Sequence, residues 1–111
     1  MKQVKKLRLC IIVGEAAHYR HTPLYEAIVY AAKKSDMAGA TVSKGIMSYG
    51  EESKIRSYRF FTLSQDLPVI IQIIDKQEKI QQFIELLEKM LNKSTLKALI
   101  TTDEVNEIVL D

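Results

Sequence analysis

The run from Leu67 to Asp75 constrains the fold of this chain more than any other segment, because it has strand composition and is apolar on both faces. Val69, Ile71 and Ile73 fall on one side, while Ile70 and Ile74 fall on the other with only Gln72 between them. In a two-layer domain the sheet face turned away from the helices meets water and is mostly polar. Each isoleucine left wet forgoes about 1.5–3 kcal/mol. A cover is therefore expected, and the cover expected is another copy of the chain. The alternative is that the chain covers itself, with a loop or a C-terminal strand folded across that face. Leu9, Ile11 and Val13, opposed by Cys10 and Ile12, repeat the two-sided pattern in an earlier strand spanning Lys5 to Val13.

Between these strands the periodicity changes. Gly14 to His21 reads as a loop, and Thr22-Pro23 supplies an N-cap residue followed by proline at the first helical position. Leu24, Ala27, Ile28, Ala31 and Ala32 then follow helical spacing, with Lys33 and Lys34 near the C-terminal end and Gly39 shortly beyond. Ala40 to Met47 reads as a second strand, and residues 48–59 form a long polar loop whose strand ends extend into a ribbon over Ile55 to Leu63. Asp75, three residues before Glu78, has the spacing of a capping box. Ile80, Phe83, Ile84, Leu87 and Leu91 mark the buried stripe of a second helix ending near Asn92 to Thr95. Leu96 to Thr101 and Val105 to Leu110 read as two short strands. The order β-α-β-β-α-β predicts an α+β, ferredoxin-like antiparallel sheet with two helices on one face.

At 111 residues the chain is expected to form one domain spanning 1–111. A net charge of +2, spread over 16 basic and 14 acidic side chains, gives no overall argument for nucleic acid or membrane. Lys2, Lys5, Lys6 and Arg8 are the densest basic group, read as a solvated N-terminus before the first strand. The central strands are aliphatic, which argues against RNA binding by stacking. A single cysteine, Cys10, excludes an intrachain disulfide and suits a reducing cytoplasm. The N-terminus has no apolar run of signal-peptide length.

Candidate chemistry is sparse. Neither a serine elbow nor a Walker loop nor a dinucleotide glycine fingerprint is present, so no enzyme is expected. Glu15, His18 and His21 lie close in sequence and define a metal-binding alternative, weak because the chain has only 2 histidines. Gly45 and Gly50 bracket a strand end where glycine lets backbone amides approach a ligand. Lys44, Lys54, Arg56 and Arg59 add positive charge, partly offset by Glu51 and Glu52, and Tyr49 and Tyr58 add flat surfaces for stacking. Together they suit a small anionic ligand.

Several of these features resemble those of the PII-like proteins catalogued as domain of unknown function 190. The resemblance runs from about Leu7 to Val109. It is carried by Gly14-Glu15, Pro23-Leu24-Tyr25-Glu26-Ala27-Ile28, Ala38-Gly39-Ala40-Thr41-Val42, Gly45-Ile46, Gly50, Ser53, Ile55, Leu63-Ser64, Asp66-Leu67-Pro68-Val69, Ile73-Ile74-Asp75 and Lys79-Ile80. It implies a non-catalytic signalling protein, a homotrimer with its sheets lining the centre, and an effector bound in intersubunit clefts at the base of the long loop. An adenine nucleotide is the effector it suggests, and an enzyme or a membrane transporter the regulated partner. The ligand residues it points to are Gly45, Tyr49, Gly50, Lys54, Arg56 and Arg59, with no catalytic residue and no fixed cofactor. The segment Leu96 to Thr102 departs from the nucleotide-binding PII proteins in having no glycine, and Thr22 stands where the family often has a basic residue. The alternative is a metal-binding trimer of the cation-tolerance type.

Overall fold

Thirteen residues of unbroken strand open the chain, β1 (Lys2–Gly14), and the rest of the sheet is laid against them. The computed structural model describes residues 1–49, 55–57, 66–92 and 96–111, the second of these stretches by its backbone. After β1 come two short strands, β2 (His18–Tyr19) and β3 (Thr22–Pro23), then α1 (Leu24–Lys34), β4 (Thr41–Lys44), β5 (Met47–Tyr49), β6 (Ile55–Ser57), β7 (Pro68–Asp75), α2 (Gln77–Asn92) and β8 (Leu99–Val109). The main sheet has the order β4-β7-β1-β8, and every neighbouring pair is antiparallel. This is the ferredoxin-like βαββαβ arrangement. The parallel strands β1 and β4 are split by β7, and β7 and β8 are split by β1.

The helical layer covers one face. Leu9, Ile11 and Val13 of β1 and Val69, Ile71 and Ile73 of β7 point into a core completed by Leu24, Ile28 and Ala32 of α1 and Ile80, Phe83, Leu87 and Met90 of α2. The α2 stripe follows the expected spacing, with Met90 buried and Ile84 and Leu91 half-buried at its margin. The opposite face is set by register. One row reads Ser43, Ile70, Ile12, Leu99, and the next reads Thr41, Gln72, Cys10, Thr101. Beyond these, Ile74 lies beside Arg8 and Asp103. Leu99 is 60% exposed and Ile74 41%, so the second face carries exposed apolar groups as the sequence implied, and no helix among the described residues covers it.

Several local expectations are corrected. Thr22 does not cap α1: it pairs with Tyr19, because the residue before a proline is pushed toward extended geometry. Pro23 itself stands at the cap, with no side-chain cap bond, and the expected loop before it holds the β2–β3 hairpin. The C-terminus of α1 is closed before Gly39 is reached. Asp36, at φ 61°, donates its N–H to Lys33 O, and Met37 donates to Ala32 O, which is the Schellman pattern with aspartate at the left-handed position. The expected second strand breaks at Gly45-Ile46 into β4 and β5. The two short C-terminal strands are one strand of 11 residues, β8, paired along β1 from Lys2 to Ile12. The basic N-terminus is therefore ordered rather than frayed, with Lys6 3.4 Å from Glu107 and Arg8 2.7 Å from Asp103. The rest of the expected 55–63 ribbon, residues 58–63, lies outside the described residues.

Asp75 does not close a capping box. Its carboxylate accepts from Lys76 N–H at 2.7 Å and from Ala38 N–H at 2.8 Å, tying the start of α2 to the connection between α1 and β4. Lys76 O accepts the first helical bond, from Ile80 N–H. Burial pushes the Asp75 carboxyl up, but the bonds from Lys76 and Ala38 and the charges of Lys79 and Lys6 together outweigh it and hold the group below its usual range. The folded state thus binds fewer protons than the unfolded one. The contribution is complete above the unfolded carboxylate value of about 3.9 and is lost as pH falls through the lower native value. Asp75→Asn is expected to cost about 1–3 kcal/mol at neutral pH and to flatten the acid limb of stability below about pH 4, as read by denaturant unfolding across pH.

Candidate functional site

The C-terminal ends of β1 and β4 and the start of β7 meet at one end of the sheet, and the stretch of sequence between Gly45 and Asp66, here termed the arm, joins β4 to β7 there. Its described part is a hairpin in which Met47 pairs with Ser57, Ser48 with Arg56 and Tyr49 with Ile55. The expected long loop is therefore partly a ribbon. Both feet of the arm are tied down. At the leading foot Gly45 N–H donates to Pro68 O at 2.8 Å. At the trailing foot Leu67 O accepts from Glu15 N–H at 2.9 Å, and the Asp66 carboxylate accepts from Ala16 N–H at 2.8 Å.

Two glycines are required here by space. A Cβ on Gly14 would lie 2.5 Å from Asp66 Oδ1, and one on Gly45 would lie 2.6 Å from Pro68 Cγ. From sequence alone, Gly45 has its role through backbone freedom. Its φ is not positive, and what it provides is room for the Pro68 ring. Lys44, just before it, reaches across to Glu15, with Nζ 3.0 Å from Oε1 and 2.9 Å from Oε2.

Of the residues singled out as ligand-binding, Gly45 is at the leading foot, Tyr49 is on β5 with 69% of its surface exposed, and Arg56 is on β6 opposite Ser48. Gly50, Lys54 and Arg59 lie outside the described residues. Glu15, Ala16 and Asp66 belong to the same constellation, and no local signal in the sequence marks them, because Asp66 and Ala16 are 50 positions apart. The residues of the metal alternative do not converge. Glu15 is taken by Lys44, His18 Nδ1 lies 2.8 Å from Ala16 O, which places a proton on that nitrogen, and His21 sits exposed in the β2–β3 turn. Among the described residues no group of three His, Cys, Asp or Glu could hold a metal. No helix among them is long and apolar enough to cross a membrane. A separate groove of about 330 Å³ between the helices is lined by Tyr19, Ala27, Ala31, Lys34, Leu86 and Met90 among others, mostly apolar groups.

A family model described as an uncharacterized ACR, DUF190, matches residues 6–107. A UPF0166 protein of Aquifex aeolicus is 36% identical over 110 residues, covering 99% of this chain and 100% of its own. A UPF0166 protein of Methanocaldococcus jannaschii is 32% identical over 100 residues, covering 90% of each. Among solved structures, CPII, a nitrogen regulatory PII-like protein from Thiomonas intermedia K12 bound to ADP, AMP and bicarbonate, superposes with a TM-score of 0.73. The match covers 96% of this chain and 91% of CPII at 12% identity, a likeness of fold.

Because the Pro68 ring is stiff, Gly45→Ala forces backbone to move at the leading foot and is expected to cost about 1–3 kcal/mol. Gly39→Ala, with nothing within 4 Å of the new methyl, serves as the control and should leave the melting temperature nearly unchanged. Thermal unfolding of the two variants checks the contrast.

Proposed function

The chain belongs to the DUF190 family and is built on the PII-like fold, and from that premise we propose that it is a non-catalytic regulatory protein that binds a small anion at the base of its arm and alters the arm's posture to control a partner. The observation that carries this reading is the pair of anchored feet, Gly45 on Pro68 and Asp66 on Ala16. A ligand at that point touches both ends of the arm and the β1 loop at once. A ligand that binds one posture better than another shifts the population between them, which is all a switch requires.

The protein works as a homotrimer in this reading, with the open sheet faces buried against one another and the ligand seated in clefts between subunits. The half-apolar rows of Ile12, Ile70 and Leu99 support self-association. An adenine nucleotide is the leading candidate effector, because CPII, which shares the fold, binds ADP and AMP along with bicarbonate. Tyr49 would stack on a base. Arg56, with Lys54 and Arg59 from the sequence, would pair with anionic oxygens, and Gly45 and Gly50 would let backbone approach them. The whole chain acts as one domain, the partner is an enzyme or a membrane transporter, and a reducing cytoplasm suits the free Cys10.

Calorimetric titration of the full chain with ADP, AMP and bicarbonate tests the proposal. Saturable binding of at least one is expected, and Arg56→Ala should weaken it about ten-fold or more, the size of a lost charged hydrogen bond. Absence of binding by all three contradicts the reading.

A further inference from the structure

The ion pair between Lys44 and Glu15 joins the two feet of the arm. Lys44 ends β4 beside the leading foot. Glu15 follows β1, and its N–H holds Leu67 O at the trailing foot, while the neighbouring Ala16 N–H holds Asp66. The contact bridges residues 29 positions apart and presents both carboxylate oxygens to a single ammonium, at 3.0 and 2.9 Å. A bicarbonate or a phosphate group offers an ammonium the same pair of oxygens.

We propose that Glu15 is a built-in competitor of the effector, a tethered carboxylate that holds Lys44 in the unliganded state and is displaced when an anion binds. The proposal rests on the anion-binding reading above and adds its regulation. With Glu15 on Lys44, the feet are clasped through the β1 loop. With an anion on Lys44, Glu15 is released to water and the clasp is open, although the backbone bonds to Leu67 and Pro68 remain. Both partners are substantially exposed, with side-chain exposures of 54% for Lys44 and 37% for Glu15. Such a pair is weak enough for a dissolved anion to break, and a buried one would not be. The same weakness sets the expected size of the effect, a few-fold in affinity. Glu15 also makes the base selective: a ligand must supply two oxygens to equal what it displaces, so monovalent halides compete poorly.

The experiment has two readouts on the full chain. ADP and, separately, bicarbonate are titrated into the wild type, Glu15→Gln, Lys44→Gln and Lys44→Arg. Tryptic cleavage after Arg56 in the absence of any anion is followed by mass spectrometry in the same proteins. Glu15→Gln is expected to tighten binding of at least one probe about two- to five-fold, the worth of an exposed ion pair. It should also speed cleavage at least two-fold. Lys44→Gln should weaken binding and speed cleavage, and Lys44→Arg, which keeps the pair, should leave the cleavage rate at the wild-type value. A tightening seen with bicarbonate alone assigns the site to small oxyanions, and one seen with ADP assigns it to a phosphate group. Unchanged or weaker binding of both probes by Glu15→Gln overturns the proposal, as does an unchanged cleavage rate. If the wild type binds neither probe, the function proposed above falls, and the cleavage rates alone then decide whether the clasp exists.

Discussion

The apolar rows on the uncovered side of the sheet are the constraint on which the rest of this molecule depends. A strand between two others, such as β7, usually needs one greasy side, and here Ile70, beside Ile12 and Leu99, and Ile74, beside Arg8, put apolar groups on the second. The helices have no part in satisfying it, since their buried residues all face the other way, into the core of Leu9, Ile11, Ile71 and Ile73. Ile12 and Ile70 are half-buried and Leu99 and Ile74 more exposed, so each forgoes part of the about 1.5–3 kcal/mol that full burial of such a side chain contributes, against a total stability of order 5–15 kcal/mol for a domain of this size. The polar groups on the same face do not break the row of Ile70, Ile12 and Leu99: Gln72 and Thr101 lie in the next row, and the bidentate Arg8–Asp103 pair lies beyond it beside Ile74.

Sheet order then decides what the strand ends can do. Because β7 lies between β1 and β4, its first residues run past the last residues of both, and Pro68 faces Gly14 while Pro68 O takes the N–H of Gly45. Both feet of the arm are thus held by one short stretch, Asp66 to Pro68. Side chains would not fit at Gly14 or Gly45, since the Asp66 carboxylate and the Pro68 ring already occupy those positions. The result is a firmly built base, joined by backbone bonds, with an exposed ion pair laid across it. A regulatory device needs that contrast between parts that do not move and a contact that is easily exchanged.

Much of this architecture was legible in the sequence because it is written in side-chain periodicity. Alternation along β1 and β7 and the helical spacing of Ile80, Phe83 and Leu87 come from burial, and burial is what periodicity reports. The long C-terminal strand was not legible as one piece. Thr101 to Glu104 interrupts it with polar residues, and at a sheet edge nothing forbids them: backbone pairing with β1 carries the strand, and Arg8 and Lys6 answer Asp103 and Glu107. The end of α1 near Lys33 and Lys34 was legible, but the residue that closes it was not, because a left-handed cap favours glycine, whereas Asp36 takes that conformation here. At the candidate site Gly45 was found, but for its lack of a side chain rather than its backbone angle. Glu15 and Asp66 were missed as members of it, since only the folded chain shows that residues so far apart in sequence meet.

Sedimentation equilibrium of the full chain at micromolar concentration tests most directly whether the uncovered face is closed by copies of the molecule. Trimeric closure requires a mass about three times the 12.7 kDa of one chain, falling toward a single chain when Ile70 is replaced by lysine. A wild-type protein that stays monomeric over the whole concentration range would contradict it.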